Sequence, residues 1–332
     1  MTKAVRIHAH GGPEVLRYED IELLPPGPGE VRLRHTAIGI NFSDVNVRRG
    51  GFYLNKTWPF PLVLGNEAAG VVESVGSDVD NVKPGDRVVY AAMHGEFFDD
   101  TGAYSEQRNV FADRLVQIPA GVSDQQAAAI MLKGLTASLI INMMYKPKPG
   151  DTVLIHTAAS GVGIILSQWS KHLGATVIGT VGSPQKAEVA RAHGCDHTIL
   201  YRDVDFVHAV ATIMPGGVSV VYDGVGKDTF ERSIACTKPF GTMVNYGNAS
   251  GHVPPLDLLK LAPKSITISR PGFSSYARDI PRMRAGAAEL FDLVKQGVIT
   301  IEVGRTYPLK DAADAHRDLE GRKSPGSILL VP

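Results

Sequence analysis

Apolar residues in the first third of the chain fall in short runs separated by turn residues. "EVRLRHTAIGI" (30–40) follows the turn cluster "LPPGPG", "AAGVVESVG" (68–76) and "DRVVYAA" (86–92) flank the turn "KPGD" (83–86), and "RLVQIP" (114–119) closes the series. Short Val-rich runs bounded by Gly, Pro and Asp predict strands of a partly open barrel or sandwich. The texture changes near residue 123, where "SDQQAAAIMLKGLTASLIINMM" opens on a serine cap and continues as an Ala- and Leu-rich helix. From residue 152 strands and helices alternate. Strand runs "TVLIHT" (152–157), "TVIGTV" (176–181), "HTILY" (197–201) and "VSVVYDGV" (218–225) are each followed by a helical stretch, and "GTMVNYG" (241–247) and "SITISR" (265–270) supply two further strands. Strands that are apolar throughout and alternate with helices predict a parallel sheet covered on both faces, here a six-stranded, doubly wound one. "RMRAGAAELFDLVKQGVI" (282–299) has helical period with Ala288, Phe291, Leu293 and Val294 on its expected core side, and "SILLVP" (327–332) is a terminal strand able to rejoin the first domain.

Length and charge narrow the picture. The 332 residues suffice for two domains, and 34 basic residues balance 34 acidic ones. That balance disfavours a nucleic-acid partner. Two cysteines, Cys195 and Cys236, stand in no metal-type or disulfide-framework spacing, which fits a reduced, cytoplasmic setting. The N-terminus lacks the apolar core of a signal peptide, and the sequence shows no run reading as a membrane span, so no membrane partner is expected.

"HTAASGVG" (156–163) lies between the first strand and first helix of the alternating region, where a dinucleotide pyrophosphate is held in a Gly-x-Gly-x-x-Gly turn. Ala158 and Ser160 occupy the first two glycine positions. Both are small enough for a tight turn, and Gly161 and Gly163 keep the close approach to a helix N-terminus. A ribose-binding acid is expected about 20 residues further on in an NAD site. The second strand instead runs into "GSPQKAE", with Ser183 and Lys186 in place of that acid, and Tyr201 and Arg202 end the third strand. A hydroxyl, helix-start N–H groups and an ammonium suit a 2′-phosphate, so the expected cofactor is NADPH.

Taken together, "HGGPEVL" (10–16), "GINFSDVNVRRG" (39–50), "GNEAAGVVESVG" (65–76), "KPGDRVVY" (83–90), "KGLTA" (133–137), "HTAASGVG" (156–163), "GTVGSPQKAE" (179–188), "VVYDGVGKDTFERS" (220–233) and "YPLKDAADAHRDLEGRKSPGSILL" (307–330) resemble the zinc-independent, zeta-crystallin-like quinone oxidoreductases of the medium-chain dehydrogenase/reductase superfamily, along essentially the whole chain. The resemblance implies an α/β protein with a GroES-like, partly open β-barrel catalytic domain (1–126, completed by 271–332) and a Rossmann doubly wound parallel sheet (127–270) binding NADPH, with the cofactor in the cleft. It also implies a homodimer through the Rossmann domain. Carried over by motif, Asn41 and Asp44 would face the nicotinamide end, with Lys133 and Thr136 beside the nicotinamide and its ribose. Ser160, Gly161, Val162 and Gly163 would lie at the pyrophosphate, and Ser183, Lys186 and Tyr201 at the 2′-phosphate. Gly224, Tyr246, Gly247 and Asn248 would line the cleft, with Phe273 and Arg322 closing it. Asn41, Asp44, Tyr53 and Lys133 are the catalytic candidates. Three departures stand out: Asn46 replaces a tyrosine common in the family, Ser160 replaces a glycine of the phosphate turn, and the 93–102 segment is longer, as a substrate lid or an enlarged hairpin.

Zinc-dependent members of the superfamily carry "GHE" and an early cysteine. Here the motif reads "GNE", with Asn66 in the histidine position, and no cysteine precedes Cys195. Three protein ligands for a catalytic zinc are not in sight, and isolated histidines such as His94 and His156 read as structural, so no metal is expected. Without a Lewis acid, a conjugated acceptor is the accessible substrate, because hydride addition leaves a delocalised oxyanion that hydrogen-bond donors can stabilise. The leading expectation is NADPH-dependent reduction of a quinone. The alternatives are reduction of activated alkenes (enals, enones, enoyl thioesters) and a non-catalytic, crystallin-like or RNA-binding NADPH-binding protein.

Overall fold

The computed structural model describes residues 1–50, 58–91, 101–321 and 326–332. The chain forms two compact units, one of residues 1–135, 273–291 and 301–332, the other of 136–272 and 292–300.

In the first unit, β1 (Thr2–Ile7), β2 (Arg17–Ile21), β3 (Glu30–Gly39), α1 (Phe42–Arg49), β4 (Leu62–Val63), β5 (Glu67–Val75), β6 (Arg87–Ala91), β7 (Gln107–Phe111) and β8 (Val116–Gln117) precede a long helix α2 (Asp124–Leu139). A small sheet runs β2-β1-β4. The larger one pairs β5 along the length of β3, while the other side of β3 is shared between β7 at its start and a late strand at its end. Residues alternate buried and less buried along the first half of β3, with Val31 and Leu33 inward, as expected of a strand with one face on the core. "RLVQIP" keeps only two residues as strand, because a 3-10 turn takes Ala112–Arg114.

The second unit contains β9 (Thr152–His156), α3 (Gly161–His172), β10 (Thr176–Val181), α4 (Pro184–Ala192), β11 (His197–Leu200), α5 (Phe206–Ile213), β12 (Val218–Asp223), α6 (Phe230–Cys236), β13 (Thr237–Asn245) and β14 (Thr267–Ser269). All six strands pair in parallel in the order β11-β10-β9-β12-β13-β14. That is the doubly wound order predicted from the alternation, reversing direction at β9. Leu154, Ile178, Val221 and Met243 build its core against Phe206, Val210 and Phe230 of the helices.

The chain then adds α7 (Phe273–Arg278), α8 (Ile280–Lys295), β15 (Val303–Pro308), α9 (Ala312–Gly321) and β16 (Ser327–Val331). β16 is the late strand on β3, and it also pairs in parallel with β15. Ser327 Oγ donates to the carbonyl of Ala129 in α2 (3.1 Å). On α8 the buried face is Met283, Ala287, Leu290, Phe291 and Leu293, whereas Ala288 is exposed, one position off the sequence expectation.

A second difference concerns α2. A π-helical turn, Ile140–Met144, extends it, so that Asp124–Met144 forms a continuous 21-residue helix long and apolar enough to cross a membrane. The sequence alone predicts no such run. Most of this helix is buried: Ala127 to Leu132, Leu135, Ala137 and Ile140 are core residues, which accounts for the composition without a bilayer.

Candidate functional site

In the first unit, the end of β3 and the start of β5 lie opposite each other, with Gly39 facing Glu67 in the antiparallel register. A Cβ on Gly39 would collide with the Glu67 carboxyl group. Glycine at 39 is therefore what lets a buried acid lie across the strand pair. The Glu67 side chain has no exposure. Its Oε1 accepts from Asn41 Nδ2 (2.8 Å) and Lys133 Nζ (3.3 Å), and its Oε2 from the backbone N–H of Leu132 (2.7 Å). Burial of a carboxylate is tolerated because every oxygen is matched by a donor, one of them an ammonium.

Asn41 is the N-cap of α1, and Asp44 at the third helical position reaches back to its N–H (2.9 Å). Asp44 is fully buried. Its Oδ1 accepts from Asn66 Nδ2 (2.9 Å), and its Oδ2 lies 3.2 Å from the Tyr104 hydroxyl. Burial pushes the Asp44 carboxyl up to about 7, helped by the Glu67 charge, while the donors from Asn41, Asn66 and Tyr104 pull it back down. The Asn66 Oδ1 atom is buried without a partner.

The catalytic candidates Asn41, Asp44 and Lys133 thus belong to one buried cluster. Tyr53 and Arg322 lie outside the described residues, as do His94 and most of the 93–102 segment. Phe273 opens α7 in the first unit, its ring 6.2 Å from that of Tyr276. Thr136 follows Lys133 by three positions on α2, on the same helix face.

In the second unit, the remaining candidates gather along the carboxyl ends of the strands, the edge where open α/β sheets bind ligands. After β9 the turn puts Thr157 in the left-handed region (φ 58°). Ser160 caps α3 by accepting from the Gly163 N–H (3.2 Å). Its hydroxyl therefore replaces the missing glycine with a cap. A Cβ on Gly163 would collide with the Thr157 carbonyl, so only glycine lets the helix start this close to the turn. After β10, Ser183 caps α4 by accepting from the Lys186 N–H (3.3 Å). After β11, the half-exposed Tyr201 brings its hydroxyl up to Gly182. After β12 and β13, the Tyr246 ring lies against Gly224, and its buried hydroxyl is directed toward Thr157 of the turn after β9. Gly247 and Asn248 are held from outside: Arg270 donates to Asn245 Oδ1 (2.5 Å), to the Gly247 carbonyl (3.2 Å) and to the Asn248 side-chain oxygen (3.2 Å).

Several residues here escape motif reading. Glu67 sits inside a quoted motif but reads as the polar start of a strand. Asp223 accepts from the N–H groups of Val225 (2.8 Å) and Gly226 (3.2 Å) and from the Thr229 hydroxyl (2.9 Å), fixing the turn that carries Gly224. Arg270 does the same for 245–248. The available signal for both was an acid or a base at the end of a predicted strand.

Two groups can be tested against these side chains. A catalytic zinc does not fit: among the described residues no three His, Cys, Asp or Glu are grouped to hold a metal, and Asn66 spends its amide nitrogen on Asp44. A dinucleotide fits the second unit. The N–H groups of Gly161 and Val162 open α3, and glycine at 163 keeps the approach to that helix N-terminus clear.

The fold and this strand-edge site define a dehydrogenase/reductase of the two-domain alcohol-dehydrogenase type. Residues 27–120 match the alcohol dehydrogenase GroES-like domain and residues 161–291 the zinc-binding dehydrogenase domain. The chain is 44% identical to the quinone oxidoreductase of Pseudomonas aeruginosa over all of both chains, and 43% identical to a 2-haloacrylate reductase of a Burkholderia species, covering all of this chain and 99% of that one. The crystal structure of Escherichia coli quinone oxidoreductase complexed with NADPH superposes with a TM-score of 0.92 at 43% identity, covering 99% of this chain and all of that one. The chain belongs to the quinone oxidoreductase family.

Proposed function

We propose that the protein is an NADPH-dependent quinone oxidoreductase that works without a metal. The observation that carries this reading is its 44% identity, end to end, with the Pseudomonas aeruginosa quinone oxidoreductase. The strand-edge residues support the cofactor. The α3 N-terminus at Gly161 and Val162 presents N–H groups and a partial positive charge to a pyrophosphate. Ser183 caps α4 with Lys186 in its first turn, and Tyr201 is half-exposed after β11, which supports these three as the readers of a 2′-phosphate. Thr136, Phe273 and Arg322 remain assignments by motif.

When bound, NADPH supplies the hydride. In the first unit, Asn41 and Lys133 act on the developing oxyanion of the acceptor. Glu67 uses one N–H of each, and the Lys133 ammonium has three. A conjugated acceptor needs no more than such donors, and the proton that completes the quinol comes from solvent. Positioning supplies much of the rate.

The 43% identity to the 2-haloacrylate reductase favours a second reading, reduction of an electron-poor alkene by the same hydride. The test follows loss of the reduced-nicotinamide absorbance with benzoquinones, naphthoquinones, 2-alkenals and a haloacrylate. Quinone turnover above that of any alkene supports the leading reading, and the reverse order the second. Tight NADPH binding with no turnover by any acceptor would leave only a binding protein.

Lys186→Ala is expected to weaken NADPH about 10- to 100-fold while changing NADH little, the effect of losing one charged hydrogen bond. Equal weakening of both cofactors, measured by fluorescence titration, would remove Lys186 from the 2′-phosphate.

We also infer a homodimer joined through the second unit. β14 is the edge of its sheet, and Leu258 and Leu259 on the preceding turn are 72% and 77% exposed. An open strand edge beside exposed apolar side chains suits a second copy. Light scattering after gel filtration should give twice the chain mass, and Leu258→Glu with Leu259→Glu should shift it toward monomer. A monomeric native protein at micromolar concentration would sink this. Two free, buried cysteines fit a cytoplasmic location.

A further inference from the structure

Beyond Asp44 lies a run of buried polar groups drawn from distant parts of the first unit. The Arg48 side chain in α1 has no exposure. It donates through Nε to the Gly11 carbonyl (3.1 Å), through Nη1 to His316 Nδ1 (2.9 Å) and through Nη2 to Glu320 (2.5 Å). His316, on α9, places Nε2 2.9 Å from the Tyr104 hydroxyl, and that hydroxyl lies 3.2 Å from Asp44 Oδ2.

The direction of every bond in this run follows from its first member. A guanidinium only donates, so His316 Nδ1 must accept and carries no proton. The ring is kept neutral by burial and by the Arg48 charge, which push its pKa down to about 3. Its single proton is then on Nε2 and points at Tyr104. The Tyr104 oxygen accepts it, so its own proton is directed to Asp44. Reversal would need a proton on Nδ1, facing Arg48. The chain runs one way only, and its closed end means that it holds a proton arrangement rather than conducting protons.

We propose that Arg48, His316 and Tyr104 are positioning residues for Asp44: a one-way hydrogen-bond chain that holds its carboxylate as a fixed acceptor, and through it orients Asn41 and Asn66. Asp44 meets Asn41 from α1 itself, Asn66 and the charge of Glu67 from β5 and its approach, and Tyr104 from the segment before β7. Arg48, His316 and Glu320 lie behind Tyr104. Of these, only Glu67 disfavours the anion directly. The chain therefore supplies the Tyr104 donor that offsets burial. Any effect on turnover rests on the proposed acceptor site; the chain itself does not.

The test is a carboxyl-carbon NMR titration of Asp44, assigned by Asp44→Asn, in the native protein and in Tyr104→Phe. Losing one donor should raise the Asp44 midpoint by about one pH unit and carry the acidic limb of kcat/KM for the quinone with it. An unmoved midpoint overturns the proposal. A midpoint that moves while the kcat/KM profile stays put supports the chain and removes Asp44 from the acceptor site. Should Tyr104→Phe not fold, imidazole nitrogen shifts of the native protein decide: His316 as the Nε2–H tautomer, neutral at pH 6, supports the chain. The Nδ1–H tautomer or an imidazolium at that pH overturns it.

Discussion

Glu67→Ala is expected to cost about 3–5 kcal/mol of folding stability, the effect of removing one partner from a buried, charged pair. Three donors converge on this carboxylate: Asn41 Nδ2, Lys133 Nζ and the Leu132 N–H. Alanine leaves all three facing a void under β3 and β5. Gln is only a partial remedy. It offers one oxygen where two are used, so at least one donor would face an N–H, and a loss of about 1–3 kcal/mol remains. Because Asn41 and Lys133 are oriented by Glu67, kcat/KM for the quinone should fall at least about tenfold in both variants. Urea unfolding and steady-state rates measure the two effects. Native stability in Glu67→Ala would show that the carboxylate is not the hub.

Acidification from pH 6.5 to 5 is expected to destabilise the fold steeply, before ordinary carboxylates titrate. His35, His156 and His316 are buried and neutral, their pKa values held down by burial to about 4, about 4 and about 3. His35 is bonded to the Ser105 carbonyl and Tyr90, and His156 spans Thr180 and Ser233. The unfolded chain protonates these imidazoles near pH 6.5, but the folded one does not until roughly pH 4 or below. Between those limits unfolding takes up three protons, so the stability present above pH 6.5 is lost as pH falls. Asp44 works the other way: with its carboxyl pushed up to about 7, the folded state already holds a proton there that the unfolded chain lacks until about pH 4. The net uptake of two protons gives a slope of about 3 kcal/mol per pH unit around pH 5 to 6. Urea midpoints at pH 7, 6 and 5 measure it. A flat profile over that range would mean that these histidines are protonated in the fold.

The parts of the molecule that sequence made legible are those written in local signals. The six parallel strands of the second unit follow from apolar runs alternating with helices. The Ser183 cap is local, its side chain serving an N–H group three residues on, and Asp205 caps α5 in the same way without having been singled out in the sequence. The last strand of the first unit was recognisable from "SILLVP" alone. What stayed hidden is what long range assembles. Arg48, Tyr104 and His316 lie far apart in the chain, and each reads singly as an ordinary polar residue. Glu67 could not be seen as a hub because its partners come from the start of α1 and from the middle of α2. The span length of α2 is masked in the sequence because Asp124 opens it and Lys133 interrupts its apolar run, while in the fold the Lys133 charge is paired with Glu67.

The position of β16 has a consequence for how the molecule is made. It closes the larger sheet of the first unit against β3, and the residues of the second unit are all synthesised before it. Growing chains acquire structure domain by domain as they emerge. Here the order is inverted: the unit begun first is finished last. Until residues 327–331 leave the ribosome, the end of β3 stays an open edge. During that interval the doubly wound unit can already be folded while the sheet that carries Glu67 is still incomplete.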